Sequence, residues 1–131
     1  FCGDFCAPFT LKMMAEGFSG EIHCVLGNND GDVLLLSRVA REAGNVFLYP
    51  VLGEVLLGGR RIAFTHYPEI GDSLAASGKY DAVFNGHTHR RRKEIRGRTL
   101  LVNPGEVMGL FGQPSYGLYD TESGEFAFFE V

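Results

Sequence analysis

Asp81-Ala82-Val83-Phe84-Asn85-Gly86-His87-Thr88-His89 sets a short buried strand directly before a glycine and two histidines two residues apart. The same arrangement recurs elsewhere in the chain. Ala63-Phe64-Thr65 leads to His66, Val25-Leu26 leads to Gly27-Asn28-Asn29-Asp30, and Phe1-Cys2 leads to Gly3-Asp4. In open α/β sheets, ligands are bound just beyond the carboxyl ends of strands. Four such loops would bring one Asp, one Asn and three His to a single edge. A set of hard oxygens and borderline imidazoles suits Mn, Fe, Zn or Ni rather than Ca or Cu(I). Each piece alone has a bland reading. Gly-Asp is commonly a turn, Asn28 to Asp30 reads as a turn or helix cap, and a single His66 can be structural. His87 and His89 say more, because residues two apart on an extended segment face the same way. All four pieces, each after an apolar strand, point to a metal centre.

Outward from these loops, the first half alternates strands with helical patterns. Pro8 to Phe18 reads as a helix with Leu11, Met14 and Ala15 on one face, and Glu21 to Leu26 as a strand. Asp32 to Ala43 is a helix closed by Gly44, and Val46 to Tyr49 is a short strand. This alternation predicts a largely parallel sheet packed on helices. The second half is richer in strands. Glu54 to Leu57 and Arg61 to Thr65 flank a two-residue turn at Gly58-Gly59, and Glu69 to Ser77 reads as helical. Glu94 to Ile95 and Thr99 to Val102 flank Gly97, and Tyr116 to Asp120 and Glu125 to Val131 flank Ser123-Gly124. The change of pattern predicts a second, mostly antiparallel sheet facing the first. Phe1-Cys2 reads as the end of a buried strand, so the expectation is one domain over residues 1–131 whose first strand lies upstream of Phe1.

Length and composition fit a single folded domain. The chain has 131 residues, 45% hydrophobic and 21% charged, which is ordinary for a globular protein. Tryptophan is absent, so 11 Phe and 5 Tyr supply the aromatic packing. A net charge of −4 argues against nucleic acid as the main partner. Cys2, Cys6 and Cys24 are odd in number and are read as reduced thiols of a cytoplasmic protein. No apolar run reaches the ~18 residues that a membrane span needs.

The order Gly3-Asp4, Gly27-Asn28-Asn29-Asp30, His66, Gly86-His87-Thr88-His89 resembles the calcineurin-like metallophosphoesterases, in particular the small bacterial and archaeal phosphodiesterases. Asn103-Pro104-Gly105-Glu106 resembles that branch's Asn-Pro-Gly-Ser turn, with Glu106 in place of Ser. The resemblance implies an αββα sandwich: two facing mixed sheets flanked by helices, with a two-metal site between the sheet edges. It implies that Asp4 bridges both metals, that Asn28, His66 and His87 complete one ligand set, and that His89 serves the other. Asn28 and His87 are then the candidate catalytic residues, and Asn29 and Arg90 the candidate substrate contacts. The implied cofactors are two divalent ions, with Mn first and Fe, Zn or Ni as alternatives. They would activate the attacking water and neutralise phosphate oxygens.

The chain departs from that pattern in two places. The family's Asp-x-His motif after its first strand, which supplies the remaining ligands of the second metal, is absent. His23 lies mid-strand after Asp4 and is read as structural. Many relatives carry a His where this chain has Asn29, and Asn cannot serve as a proton donor at neutral pH, which favours phosphodiesters with good leaving groups. The run Arg90-Arg91-Arg92-Lys93, with Arg96 and Arg98, is either a solvated strand face or an electropositive rim for phosphates. No aromatic residue interleaves it, so a nucleic-acid role is the weaker reading. The expected function is metal-dependent hydrolysis of phosphodiesters. The alternative is a catalytically weak scaffold of the same fold that binds protein partners, and a third reading is a regulatory nuclease.

Overall fold

The computed structural model describes residues 1–131. Its elements in chain order are α1 (Pro8–Gly17), β1 (Ile22–Val25), α2 (Val33–Ala43), β2 (Val46–Tyr49), β3 (Leu52–Leu57), β4 (Arg60–Thr65), α3 (Pro68–Ala76), β5 (Ala82–Phe84), β6 (Arg92–Arg96), β7 (Thr99–Asn103), β8 (Ser115–Tyr119) and β9 (Phe126–Glu130). Local chemistry explains most boundaries. Pro8 and Pro68 open α1 and α3, where a missing N–H costs nothing. Asp32 caps α2 by accepting from the Leu35 amide at 2.9 Å, and Gly44 closes it at φ 77°. Gly58 and Gly59, at φ 53° and 78°, form the tight turn between β3 and β4. No helix is long and apolar enough to cross a membrane.

β1 and β2 form a parallel pair, β3-β4-β5-β7-β6 a five-stranded sheet, and β8 and β9 a separate antiparallel ribbon. In the five-stranded sheet, Ile62, Ala82 and Leu100 lie in one cross-strand row and Ala63, Val83 and Leu101 in the next. Side chains alternate across a strand, so these rows face opposite ways. The first packs with Val102 and Phe126 and takes Phe84, Tyr119 and Phe128 from strand and ribbon. The second packs against Ala75 and Leu74 of α3. β7 is buried along its whole length, as a strand covered on both faces must be. A third core joins Phe5, Leu11, Ile22, Cys24, Leu36 and Ala40, where α1 and α2 cover the β1–β2 pair. Phe64 meets Tyr49 edge-on at 5.4 Å, which places β4 against that pair. The chain is thus an α/β sandwich of facing sheets with helices outside.

Two expectations are corrected. The second sheet is not mostly antiparallel. β3–β4 and β6–β7 are antiparallel, but its centre, β4–β5–β7, is parallel. Turn signals reveal only hairpin neighbours. The α3 crossover and the reversal through β6 set the other pairings. Phe1 is not buried but 37% exposed, although its backbone pairs with β1: its amino group donates to the His23 carbonyl at 2.8 Å, and the Val25 amide donates to the Phe1 carbonyl at 3.2 Å.

Candidate functional site

Four donor atoms from four loops meet beyond the strand ends. His66 Nε2 lies 2.9 Å from Asn28 Oδ1, 3.1 Å from His87 Nδ1 and 3.4 Å from Asp4 Oδ2. His87 Nδ1 lies 2.9 Å from Asn28 Oδ1. Atoms bound to one ion at about 2.1 Å stand about 3.0 Å apart at right angles and about 3.4 Å apart at tetrahedral angles. These separations match that range.

The protons of the cluster support the same view. His66 Nδ1 donates to the Cys2 carbonyl at 2.7 Å, and the ring is 1% exposed. In the neutral imidazole that a metal ligand must be, that bond puts the lone pair on Nε2. It faces a carboxylate oxygen, an amide oxygen and a second imidazole nitrogen. Electron-pair donors crowded with so few protons are the arrangement that a cation stabilises, so the residues fit the divalent ion that the donor chemistry implies.

The backbone is bent to make the site. Four non-glycine residues have positive φ: Asp4 (62°), Cys6 (63°), His87 (70°) and His89 (59°). Three are candidate ligands, and the fourth lies two residues from Asp4. Such conformations cost about 1–3 kcal/mol each and persist where surrounding contacts enforce them. Asp30 is one enforcer. Its carboxylate accepts from the amides of Gly27 (2.7 Å), Asp4 (3.0 Å) and Cys6 (3.0 Å), and so joins the first two site loops. Gly27 permits the approach, because a Cβ there would lie 2.1 Å from Asp4 Oδ1. Asn103, at the end of β7 and 1% exposed, anchors the fourth loop by donating to the Gly86 carbonyl (2.7 Å) and to Thr88 Oγ1 (3.0 Å).

The left-handed geometry corrects the expectation that His87 and His89 face the same way on an extended segment. The chain turns between Gly86 and Thr88, where the Thr88 amide donates to the Gly86 carbonyl at 2.8 Å. His87 therefore joins Asn28 and His66, whereas His89 Nδ1 turns to Glu106 Oε2 at 2.7 Å. His89 still lines the same cavity, of about 1020 Å³, as Asp4, His66 and His87. The hydrogen bond from His89 holds the Glu106 carboxyl below the usual range, helped by the amides of Phe111 and Gly112.

Asn29 is occupied with Asp4: its amide donates to Oδ1 at 2.8 Å and its side chain to Oδ2 at 2.9 Å. Arg90 is exposed and does not line the cavity. Its neighbours are mostly paired: Arg91 with Glu130 (3.1 Å), Arg92 with Asp72 (2.7 Å) and Glu94 (2.9 Å), and Arg96 with Glu94 (2.9 Å). The run is thus largely a self-neutralised strand face, with Arg90 and Lys93 the cations of residues 90–93 that have no carboxylate partner. His23 is structural, stacked on Phe47 at 4.8 Å and hydrogen-bonded to Tyr49 and Glu21. Cys2, Cys6 and Cys24 are free thiols, and burial pushes Cys24 up to about 11. Sequence reasoning missed the service of Asp30 and Glu106. Both stood inside quoted motifs, but what they hold is brought to them only by the fold.

Residues 1–124 match the family model described as the calcineurin-like phosphoesterase superfamily domain. A phosphodiesterase of Methanocaldococcus jannaschii is 33% identical over 128 residues, covering 95% of this chain and 76% of that protein. A solved archaeal phosphodiesterase superposes with a TM-score of 0.89 at 30% identity, covering 99% of this chain and 80% of the other. Vacuolar protein sorting 29 of Cryptosporidium parvum shares the fold with a TM-score of 0.66 at 21% identity, covering 98% and 79%.

Proposed function

The chain belongs to the calcineurin-like phosphoesterase superfamily, hydrolases of the metallophosphoesterase type, and from that premise we propose that it is a metal-dependent phosphodiesterase. The observation that carries the reading is the cluster of Asp4, Asn28, His66 and His87 around one point, with the His66 lone pair aimed into it. Asp4, Asn28, His66 and His87 would hold one divalent ion, and Asp4 with His89 a second. When bound, the ions, Mn²⁺ first among the candidates, supply an activated water and positive charge for the phosphate oxygens. The protein's own groups set the rest. The Cys2 carbonyl fixes the His66 tautomer, Asn29 holds both oxygens of Asp4, and Asp30 locks the loops that carry them. Asn28 and His87, both exposed beside the cluster, are the donors placed to meet the reacting phosphate, with Asn29 and Arg90 as outer contacts. Asn29 gives the leaving group no proton, so substrates that leave without one are preferred.

The M. jannaschii relative is a phosphodiesterase by name, which supports diesters over monoesters. The likeness to vacuolar sorting 29 is one of fold, and the convergent donor set favours catalysis over a scaffold. The test is turnover of an activated aryl phosphodiester against an alkyl phosphomonoester in Mn²⁺. The diester is expected to be preferred, and His87→Ala to lower its turnover at least about 1000-fold, ~4 kcal/mol of transition-state stabilisation. Wild-type turnover in that variant would overturn the metal mechanism.

A further inference from the structure

We propose that Glu106 is a positioning residue that sets the proton on His89 and couples that imidazole to the loop of residues 107–112. The proposal rests on His89 as a ligand of the second ion. Glu106 follows β7 in the turn Asn103-Pro104-Gly105-Glu106 and is 8% exposed. Its backbone is fixed by the Ser115 amide, which donates to the Glu106 carbonyl at 2.6 Å. Oε2 meets His89 Nδ1 at 2.7 Å, and Oε1 accepts from the Phe111 amide at 2.6 Å.

An ionised carboxylate can only accept. Its partner on His89 must therefore be Nδ1–H, and in the neutral imidazole that a ligand must be, the lone pair then lies on Nε2, the nitrogen on the far side of the ring. The ring is held a second time, because Phe111 meets it edge-on at 5.1 Å between centroids. The residue whose amide is bound by Glu106 thus also packs on the imidazole that Glu106 orients. Val107, Met108, Leu110 and Phe111 are all more than half exposed, and Val107 and Met108 line the same cavity as His89. One carboxylate therefore sets both the direction of a ligand and the position of an apolar cavity wall. Carboxylate–histidine pairs of this kind raise ligand basicity, and their loss weakens metal affinity by about 10–100-fold.

Glu106→Gln tests the proposal with little change of shape. The amide oxygen can keep the Phe111 contact, which turns the –NH₂ group toward His89 Nδ1. Nδ1 must then accept, and the proton moves to Nε2. Two-bond proton–nitrogen NMR on the cation-free protein reads the tautomer directly. Nδ1–H is expected for His89 in the wild type and Nε2–H in Glu106→Gln. Mn²⁺ titration by calorimetry is expected to show the weaker site weakened a further 10–100-fold, with the tighter site unchanged. Phe111→Leu, which keeps the amide donor, is expected to keep the wild-type tautomer. The same His89 tautomer in wild type and Glu106→Gln overturns the proposal. So does a switched tautomer with unaltered Mn²⁺ binding. A wild type that bound no Mn²⁺ would instead overturn the proposed metal site, and the tautomer comparison would still decide what Glu106 does.

Discussion

Gly27 shows how narrowly the site is built at the scale of one residue. Its backbone passes so close to Asp4 that an added Cβ would stand 2.1 Å from Oδ1 and 2.6 Å from the Asp4 amide. Neither neighbour is a flexible side-chain tip, because Asp30 and Asn29 hold Asp4 from both sides. Gly27→Ala must therefore displace the Asp4 loop. A misplacement of about 1 Å in such a site can cost ~100-fold in rate, and a loss of at least that size in aryl diester turnover is expected. Gly31→Ala, four residues on with nothing within 4 Å of the new methyl, is the control and should be active. Equal activity in both would show that Asp4 need not sit where Gly27 lets it. The same crowding explains why Asp30 escaped a reading by motif alone. Asp30 looks like a turn residue, but it accepts three amides from two loops.

At the scale of elements, the exposed edge strand β6 is fastened to α3 by charge. Arg92 binds Asp72 on α3 and Glu94 on its own strand, and Arg96 reaches both carboxylates. The hydrogen bonds from Arg92, then Arg96, push Glu94 from 4.5 down to about 2, and Asp72 is lowered chiefly by Arg92. A carboxylate with a depressed folded pKa contributes stability above its unfolded value and loses it as pH falls through the folded one. The contribution of Glu94 should thus be full above pH 4.5 and fade toward about pH 2. Both acids are part-exposed, so the effect is modest and screened by salt. Urea midpoints measured from pH 5 to pH 2 should fall less steeply in Glu94→Gln than in the wild type. Parallel slopes would show that the cluster is held equally well when protonated. The cluster also keeps charge along an edge strand, a device that discourages strand-to-strand association.

For the whole molecule, the sandwich gathers unequal ligand sets. Four protein donors converge on the first position, whereas this chain offers Asp4 and His89 to the second. Mn²⁺ titration should show two affinities at least about 100-fold apart, ~2.7 kcal/mol. Two equally tight sites would show that further donors of this chain complete the second. The first set depends on both layers of the fold. Asp4 and Asn28 come from the β1 side, and His66 and His87 from the ends of β4 and β5. Loosening the contact between the layers, where Phe64 meets Tyr49, would separate the two halves of the site.

The sequence by itself determined the family, the elements and the candidate ligands, because these rest on short-range signals. Apolar runs ending in Gly and a polar residue, the Asp32 cap, the Gly44 stop and the Gly58-Gly59 turn are each read within a few residues. Tertiary structure alone decided the parallel centre of the five-stranded sheet, since the neighbours of β5 are set by α3 and β6 rather than by a turn. It decided that Gly86-His87-Thr88-His89 bends into left-handed backbone and sends its two imidazoles to different partners. It decided that the arginine run is spent on Asp72, Glu94 and Glu130. It also assigned Glu106 to His89, 17 residues away. The physical reason is common to all four. A charge, a lone pair or a strand edge is satisfied by whatever folding brings within about 3 Å, and distance along the chain does not specify that neighbour.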